Sequence, residues 1–527
     1  MQRKLTGIYR TEEEEIKEAG FVLDFDEIAR KGDMSKEEKL IAKWYGVYTS
    51  RQPGNFMARV VIPGGIMTAQ QARCFASTSY KYGQGIMNIT TRQAIQFHWL
   101  KMGHLADMMR ELNTAHLTTF HGCGDVTRIV AACPLAESCE YARFDVRKYA
   151  VATQKYLGSF RDLDNLPRKF KITYSGCDTG CGQPFINCVG IVAQQVEING
   201  ATEFGFKVII GGGLGWKQFI GQQLFSFVPQ NQILEVTRAI ALLYRDYGDR
   251  TNRIKSRLKY VVHRKGIDFC RDIVLANLKA EGKRVDNILY SPISETGGDV
   301  PYRIQESMYA AADGTTTVGI RVPKGELTYR QMNVIAELSE EFGNQHVYTT
   351  NRQNLELKGV KPSNVAALQQ RIRDIGLYTD GFYGIQDIVP CVGTTYCPKA
   401  VSETRALHDS LQTLLQLDKY AVIRNAALIN ISGCPNSCSQ YSIFDIGFRG
   451  MRIREEQGSV EGYEMRIGGS HASFGKVVGE FKTTDIPEVA ETVLDTFVKL
   501  RTESETLAQT VQRIGVEPFK EAVLYAI

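Results

Sequence analysis

The sequence predicts an α+β protein, mixed in helix and sheet and built by internal duplication. Arg59-Val-Val-Ile-Pro-Gly-Gly, a helical stretch and Thr90-Thr-Arg-Gln return as Gly319-Ile-Arg-Val-Pro-Lys-Gly, a helical stretch and Thr350-Asn-Arg-Gln, about 260 residues later. Cysteines return at nearly the same offset: Cys133 and Cys139 match Cys391 and Cys397, and Cys177 and Cys181 match Cys434 and Cys438. Four landmarks in one order, with little drift, mark two copies of one unit. Each copy opens with a short β-α-β pattern and continues as a longer α/β region, which sets the class.

Taken in order, residues 1–50 read as an N-terminal arm, with Glu12 to Glu15 as the solvated face of a helix. Residues 51–120 form the first β-α-β unit and 121–298 the first cysteine-bearing domain. In that domain Leu166 to Tyr174 alternates like a strand, putting Lys169 and Lys171 on one face and Phe170 and Ile172 on the other. Phe206 to Ile210 reads as an apolar strand leading into Gly211-Gly-Gly-Leu-Gly. That run does not fit G-x-G-x-x-G, because Trp216 occupies the last glycine position, so it reads as a glycine turn admitting close backbone approach. Residues 299–382 repeat the opening unit. Thr317 to Val322 is β-branched and strand-like. Met332, Ile335, Leu338 and Phe342 then line one helix face, Gly343 ends that helix, and Val347 to Leu357 returns as strand. A further helix is expected from Ser363 to Ile375. The unit is similar to a ferredoxin-like half unit, packed against its twin. Residues 383–527 form the second cysteine-bearing domain.

At 527 residues the chain has room for three to four domain-sized units, and 43% hydrophobic with 23% charged residues suits a large core. A net charge of +5 gives no reason to expect nucleic acid as a partner. No apolar run is long enough to span a membrane, and the N-terminus lacks the apolar core of a secretion signal. The expected location is the cytoplasm, where thiols stay reduced, so the twelve cysteines are not read as disulfides.

Cys391-x5-Cys397 followed by Cys434-x3-Cys438 brings four soft thiolates from two loops. Such a set suits tetrahedral zinc or a cubane iron–sulfur cluster, and the wide spacings fit the larger cubane better than the Cys-x2-Cys turns common at zinc. Cys391-Val-Gly-Thr-Thr-Tyr-Cys397 and Gly433-Cys434-Pro-Asn-Ser-Cys438 resemble the signature of the sulfite and nitrite reductases that couple sirohaem to a [4Fe–4S] cluster. The resemblance runs from about Arg51 onward. It implies Cys391, Cys397, Cys434 and Cys438 as cluster ligands, with Cys438 bridging to the sirohaem iron.

Sirohaem is a polycarboxylate and its substrate an oxyanion, so the pocket must be rich in cations. The resemblance assigns Arg59, Arg128, Lys169 and Lys171 to the anion and catalysis. It assigns Arg92, Gln96 and His98, with Gln353 and Asn354 from the second copy, to the cofactor. A lone histidine after a strand reads equally well as a core residue. The duplication provides an internal control: Gly319, Gln386, Ala426 and Leu428 stand at the second-copy positions of the four cations. One copy is thus expected to bind the anion and the other to supply the cluster beside it.

The expected activity is six-electron reduction of sulfite to sulfide, with nitrite reduction to ammonia as the alternative. Nitrite-specific relatives typically carry asparagine in place of the second lysine, and Lys171 is retained here. The first copy's own set, Cys133, Cys139, Cys177 and Cys181, departs from plant and enterobacterial relatives and is closer to subunits of dissimilatory sulfite reductases. It reads as a second [4Fe–4S] site, a relay or a structural cluster, or else as metal-free vestigial thiols. No Rossmann fingerprint, flavin domain or Cys-x2-Cys-x2-Cys run occurs, so electrons are expected from a separate donor such as ferredoxin or a flavoprotein. A non-catalytic iron–sulfur or zinc scaffold explains the cysteines but not the one-sided cations, and a relative adapted to tetrapyrrole synthesis is expected to lack them.

Overall fold

The structure, a computed structural model, describes residues 12–198, 200–293, 307–456 and 458–526. The expected boundary at 298/299 and the first residues of the arm lie outside these.

The first half unit contributes β1 (Val47–Thr49), β2 (Phe56–Val60), β3 (Ile66–Thr68), β4 (Ile86–Ile89) and β5 (Ile95–Leu100). Its cysteine region contributes β6 (Ala131–Ala132), β7 (Ile172–Ser175), β8 (Val189–Ile198), β9 (Ala201–Ile210) and β10 (Gln222–Pro229). The second copy repeats this order. Its half unit has β11 (Met308–Ala310), β12 (Thr316–Ile320), β13 (Glu326–Thr328), β14 (His346–Thr349) and β15 (Leu355–Val360). Its cysteine region has β16 (Val389–Pro390), β17 (Ile429–Ser432), β18 (Ile446–Glu455), β19 (Gly458–Ile467) and β20 (Lys476–Lys482).

The half units exchange strands. One sheet runs β1-β2-β5-β4-β13 and the other β11-β12-β15-β14-β3, so each takes its last strand from the opposite copy. The paired helices Ala69–Tyr82 and Tyr329–Glu341 each start on a threonine capping box, Thr68 with Gln71 and Thr328 with Gln331. Beneath them both copies share one core, in which Phe75, Phe97, Met332 and Leu357 are fully buried. Two expectations change in detail. Val347 to Leu357 is two strands, β14 and β15, separated by a turn in which Gln353 takes φ 63°. The helix expected to stop at Gly343 ends at Glu341, capped by Phe342.

In the cysteine regions β6-β7-β8 and β16-β17-β18 are parallel, and antiparallel strands complete each sheet. Cys133 and Cys391 follow β6 and β16, while Cys177 and Cys434 follow β7 and β17. The thiols therefore gather at the carboxyl ends of parallel strands, where α/β sheets open a crevice. Regular strand begins only at Ile172, with Phe170 held by a single bridge to Thr127, yet the expected alternation holds: Phe170 and Ile172 are fully buried. The arm helix Glu12–Ala19 is less solvated than its composition suggests. Glu14 is buried because Lys17 Nζ, 2.5 Å away, and Arg250 NH1, 2.8 Å away, neutralise it.

The halves cross over. Arg51 N and Gln52 Nε2 of the first half unit donate to Tyr396 O and Thr395 O in the second cysteine loop. In return, Lys358 Nζ of the second half unit donates to Pro134 O in the first cysteine loop, at 2.7 Å. Each cysteine set is thus roofed by the other copy's half unit. Among the described residues no helix is long and apolar enough to cross a membrane.

Candidate active site

A cleft open to solvent lies between the copies. Arg168, Lys169, Lys171, Arg253, Arg257 and Lys259 line it from the first copy, and Asn436, Ser437 and Gln440 from the second. Lys169 and Lys171 reach it because Phe170 and Ile172 take the opposite face of the same extended segment into the core. Burial, then the neighbouring Arg257, pulls Lys169 down to about 7. Lys171 lies well below the usual lysine range through burial and through Lys169 itself. Lys259 falls to about 7 for the same reasons as Lys169. Two of these cations are partly neutralised, since Arg253 and Arg168 lie 2.8 and 3.4 Å from Asp125. The other four have no carboxylate partner among the described residues.

Arg59 and Arg128 stand next to this group. Both donate to Gly122 O, at 3.2 and 2.7 Å, and Arg128 is close enough to depress Lys169. The structure therefore brings the four expected anion residues together. Arg92 donates to Asn187 Oδ1, Ile129 O and Ile172 O, and burial together with Arg128 lowers it to about 9. Gln96 pairs with Arg59 across β5 and β2, and its amide reaches Met57 Sδ. His98, two residues along the same face, stacks on Tyr396 with ring centroids 4.1 Å apart. Burial, then Arg405, drops it to about 3, so it is neutral, and neither ring nitrogen has a hydrogen-bond partner among the described residues.

Gln353 and Asn354 are engaged elsewhere. Gln353 Nε2 donates to Ile89 O, while Asn354 receives Val322 N–H and donates to Asp387. Gln353 is buried at the seam between half units and Asn354 against the second cysteine region, and neither lines the cleft.

Sequence reasoning missed Arg257 and Lys259. Arg257 NH2 lies 3.1 Å from Cys188 Sγ. Lys259 Nζ gathers the carbonyls of Gly213, Leu214 and Lys217, which fixes the glycine loop as part of the cleft wall. Gly212 must be glycine, because a Cβ there would meet Phe185 O at 2.2 Å. The available signal was a basic stretch from Arg253 to Lys259 that runs into the start of the helix Leu258–Lys265; read alone, such a stretch is a solvated charge run.

Cys438 is exposed while Cys434 is buried and Cys391 and Cys397 are partly so. Thr91 Oγ1 donates to Cys438 O at 2.8 Å, and the Cys438 sulfur is near enough to act on Lys169 and Lys171. Burial pushes Cys391 up to about 12, so a bound metal would have to supply the charge for it to act as a thiolate ligand. Whether these residues fit a cluster and a polycarboxylate macrocycle can be judged from the unmet polar atoms. Arg59, Arg92, Arg128 and Arg257 each bury a guanidinium Nε with no partner among the described residues. Four thiols beside that many unsatisfied cationic donors suit both groups.

The lysines make a testable demand. A lysine lowered from 10.5 to about 7 binds fewer protons folded than unfolded throughout that window. Without the cofactor, stability is therefore expected to rise from pH 7 towards 10, by on the order of 1 kcal/mol per pH unit for one such group. Urea titrations of cofactor-free protein at pH 7, 8 and 9 check this. Lys169→Met must flatten the slope, and an unchanged slope refutes the assignment.

A family model described as the nitrite and sulphite reductase 4Fe-4S domain matches residues 123–281 and 383–526. Another, the nitrite/sulfite reductase ferredoxin-like half domain, matches 48–115 and 309–375. The chain is 28% identical to sulfite reductase [ferredoxin] 2 of Mycolicibacterium paratuberculosis, over 89% of this chain and 87% of that one. It is also 28% identical to the assimilatory ferredoxin-dependent nitrite reductase of Haloferax mediterranei, over 91% and 86%. Among solved structures, the NirA protein of Mycobacterium tuberculosis superimposes with a TM-score of 0.87, at 26% identity, covering 97% of this chain and 98% of that one.

Proposed function

Because the chain belongs to the nitrite and sulphite reductase family and is an oxidoreductase that uses sirohaem and a [4Fe–4S] cluster, we propose that sulfite is its preferred substrate and ferredoxin its electron donor. Relatives named for either anion are equally similar, so preference must be argued from the cleft. The observation that carries it is Lys171, half-buried in the cleft wall beside Lys169 with Arg59 and Arg128 close by. Sulfite carries more charge than nitrite at neutral pH and repays the desolvation of a second lysine better. Ferredoxin is supported by its place in the names of both relatives.

When bound, sirohaem and the cluster supply the electrons, six for each sulfite reduced to sulfide. The protein's own residues orient the anion and move protons. Arg59 and Arg128 hold sulfite oxygens by charge-assisted hydrogen bonds. Lys169, placed near 7 by its surroundings, can both donate and recover a proton at working pH, and Lys171 beside it shares that role. Cys391, Cys397, Cys434 and Cys438 would hold the cluster, with Cys438 facing the cleft.

Steady-state assays of anaerobically purified enzyme with reduced ferredoxin test the proposal. The kcat/KM for sulfite should exceed that for nitrite. Lys171→Asn should lower the sulfite-to-nitrite ratio by about tenfold or more, the scale of losing one charge-assisted hydrogen bond. An unchanged ratio would remove Lys171 as the discriminator.

A further inference from the structure

The first-copy cysteines are aimed by the same backbone hydrogen bonds as the second-copy set. Cys133 N donates to Tyr174 O as Cys391 N does to Ile431 O. Ala142 N reaches Cys139 O as Ala400 N reaches Cys397 O. Arg143 N meets Gly176 O as Val401 N meets Gly433 O, and Gly180 N meets Cys177 O as Ser437 N meets Cys434 O. Beyond each last cysteine, a residue of the opposite half unit pins the carbonyl: Asn351 Nδ2 to Cys181 O at 2.6 Å, Thr91 Oγ1 to Cys438 O at 2.8 Å.

The anion chemistry has not been kept alongside. Leu428 stands in the place of Lys171 and packs with Ile443, Phe444 and Phe474 of its own copy against Ile186, Leu214 and Ile220 of the first. A continuous route nevertheless joins the two thiol sets. Cys181 O accepts from Asn351, the chain runs on to Gln353, Gln353 Nε2 donates to Ile89 O at 3.0 Å, and the chain from Ile89 reaches Thr91, which donates to Cys438 O.

We propose that Cys133, Cys139, Cys177 and Cys181 bind a second [4Fe–4S] cluster that passes electrons to the first along this route. Each step moves one electron: the second cluster, reduced by ferredoxin, is oxidised by one unit as the Cys391-set cluster is reduced by one. With Gly319, Gln386, Ala426 and Leu428 at the places of the four cations, the second copy offers this cluster none of the anion residues, so relay is its role. The relay rests on the reductase reading, whereas the metal site does not.

Iron, acid-labile sulfide and tetrapyrrole are counted on protein purified anaerobically and reconstituted with iron and sulfide. About eight non-haem irons with one sirohaem are expected, against about four for a single cluster. The Cys139→Ser/Cys181→Ser variant should fall to about four irons, keep its sirohaem, and lose one of two cluster signals in the electron paramagnetic resonance of the reduced protein. In stopped flow, reduction of its remaining cluster by ferredoxin should slow at least tenfold. Wild-type protein with sirohaem and only about four irons would overturn the site. A variant lacking the extra irons but reduced at the wild-type rate would overturn the relay. A missing tetrapyrrole with about eight irons would overturn the reductase reading and leave the site standing.

Discussion

Replacing Cys438 with serine is expected to reduce sulfite turnover by about a thousandfold or more. Loss of residues that merely orient a metal ligand costs roughly ten- to a hundredfold, and loss of the ligand itself must cost more. Cys438 is the exposed member of its set, its carbonyl is pinned by Thr91, and its sulfur acts on Lys169 and Lys171. It is thus the thiol of its set whose sulfur acts on the lysines of the cleft. Turnover with reduced ferredoxin and the visible spectrum would be read together. Cys74→Ala, which alters a thiol on the helix Ala69–Tyr82 away from the cleft, provides the comparison and should keep full activity. A Cys438→Ser enzyme within tenfold of wild type would remove this sulfur from the electron path.

The residues that could be read in the sequence were those whose spacing obeys a local rule. Phe170 and Ile172 declare a buried face by alternation, and that places Lys169 and Lys171 opposite them. The cysteines declare themselves by repeating. Arg257 and Lys259 obey no such rule: they lie some 90 residues beyond Lys169, and only the fold returns them to its side. The strand exchange was equally hidden, because β3 and β13 are three residues each, too short for periodicity to register. Gln353 and Asn354 show what a repeat does carry: Gln353 matches Gln93, and each donates its amide across the seam, to Ile89 O and Thr349 O, while Asn354 donates to Asp387.

A divergence between the copies decides the second large effect, the loss of Arg352. In the first copy Arg92 contacts the carbonyl of Ile129, and in the second Arg352 contacts that of Asp387, at the matching position. The replacement puts a carboxylate where the first copy has a methyl group, and Arg352 Nε lies 2.7 Å from Asp387 Oδ2 with both side chains almost fully buried. Asn354 and Tyr383 N–H bind the same carboxylate. One arginine has been given an internal counterion, while the other is left for an external one. Arg352→Met should therefore destabilise the protein by about 3–5 kcal/mol, because Asp387 is left buried and charged. Arg352→Met combined with Asp387→Leu should recover much of that loss. Arg92→Met strands no carboxylate, only the acceptors Asn187 Oδ1, Ile129 O and Ile172 O, so it should destabilise less than Arg352→Met and in addition weaken sirohaem retention roughly ten- to a hundredfold, the scale of one or two charge-assisted hydrogen bonds. Denaturant midpoints and sirohaem content, measured on all three variants, separate the two roles. Equal midpoints for Arg92→Met and Arg352→Met would mean that the counterion at Asp387 does not distinguish the copies.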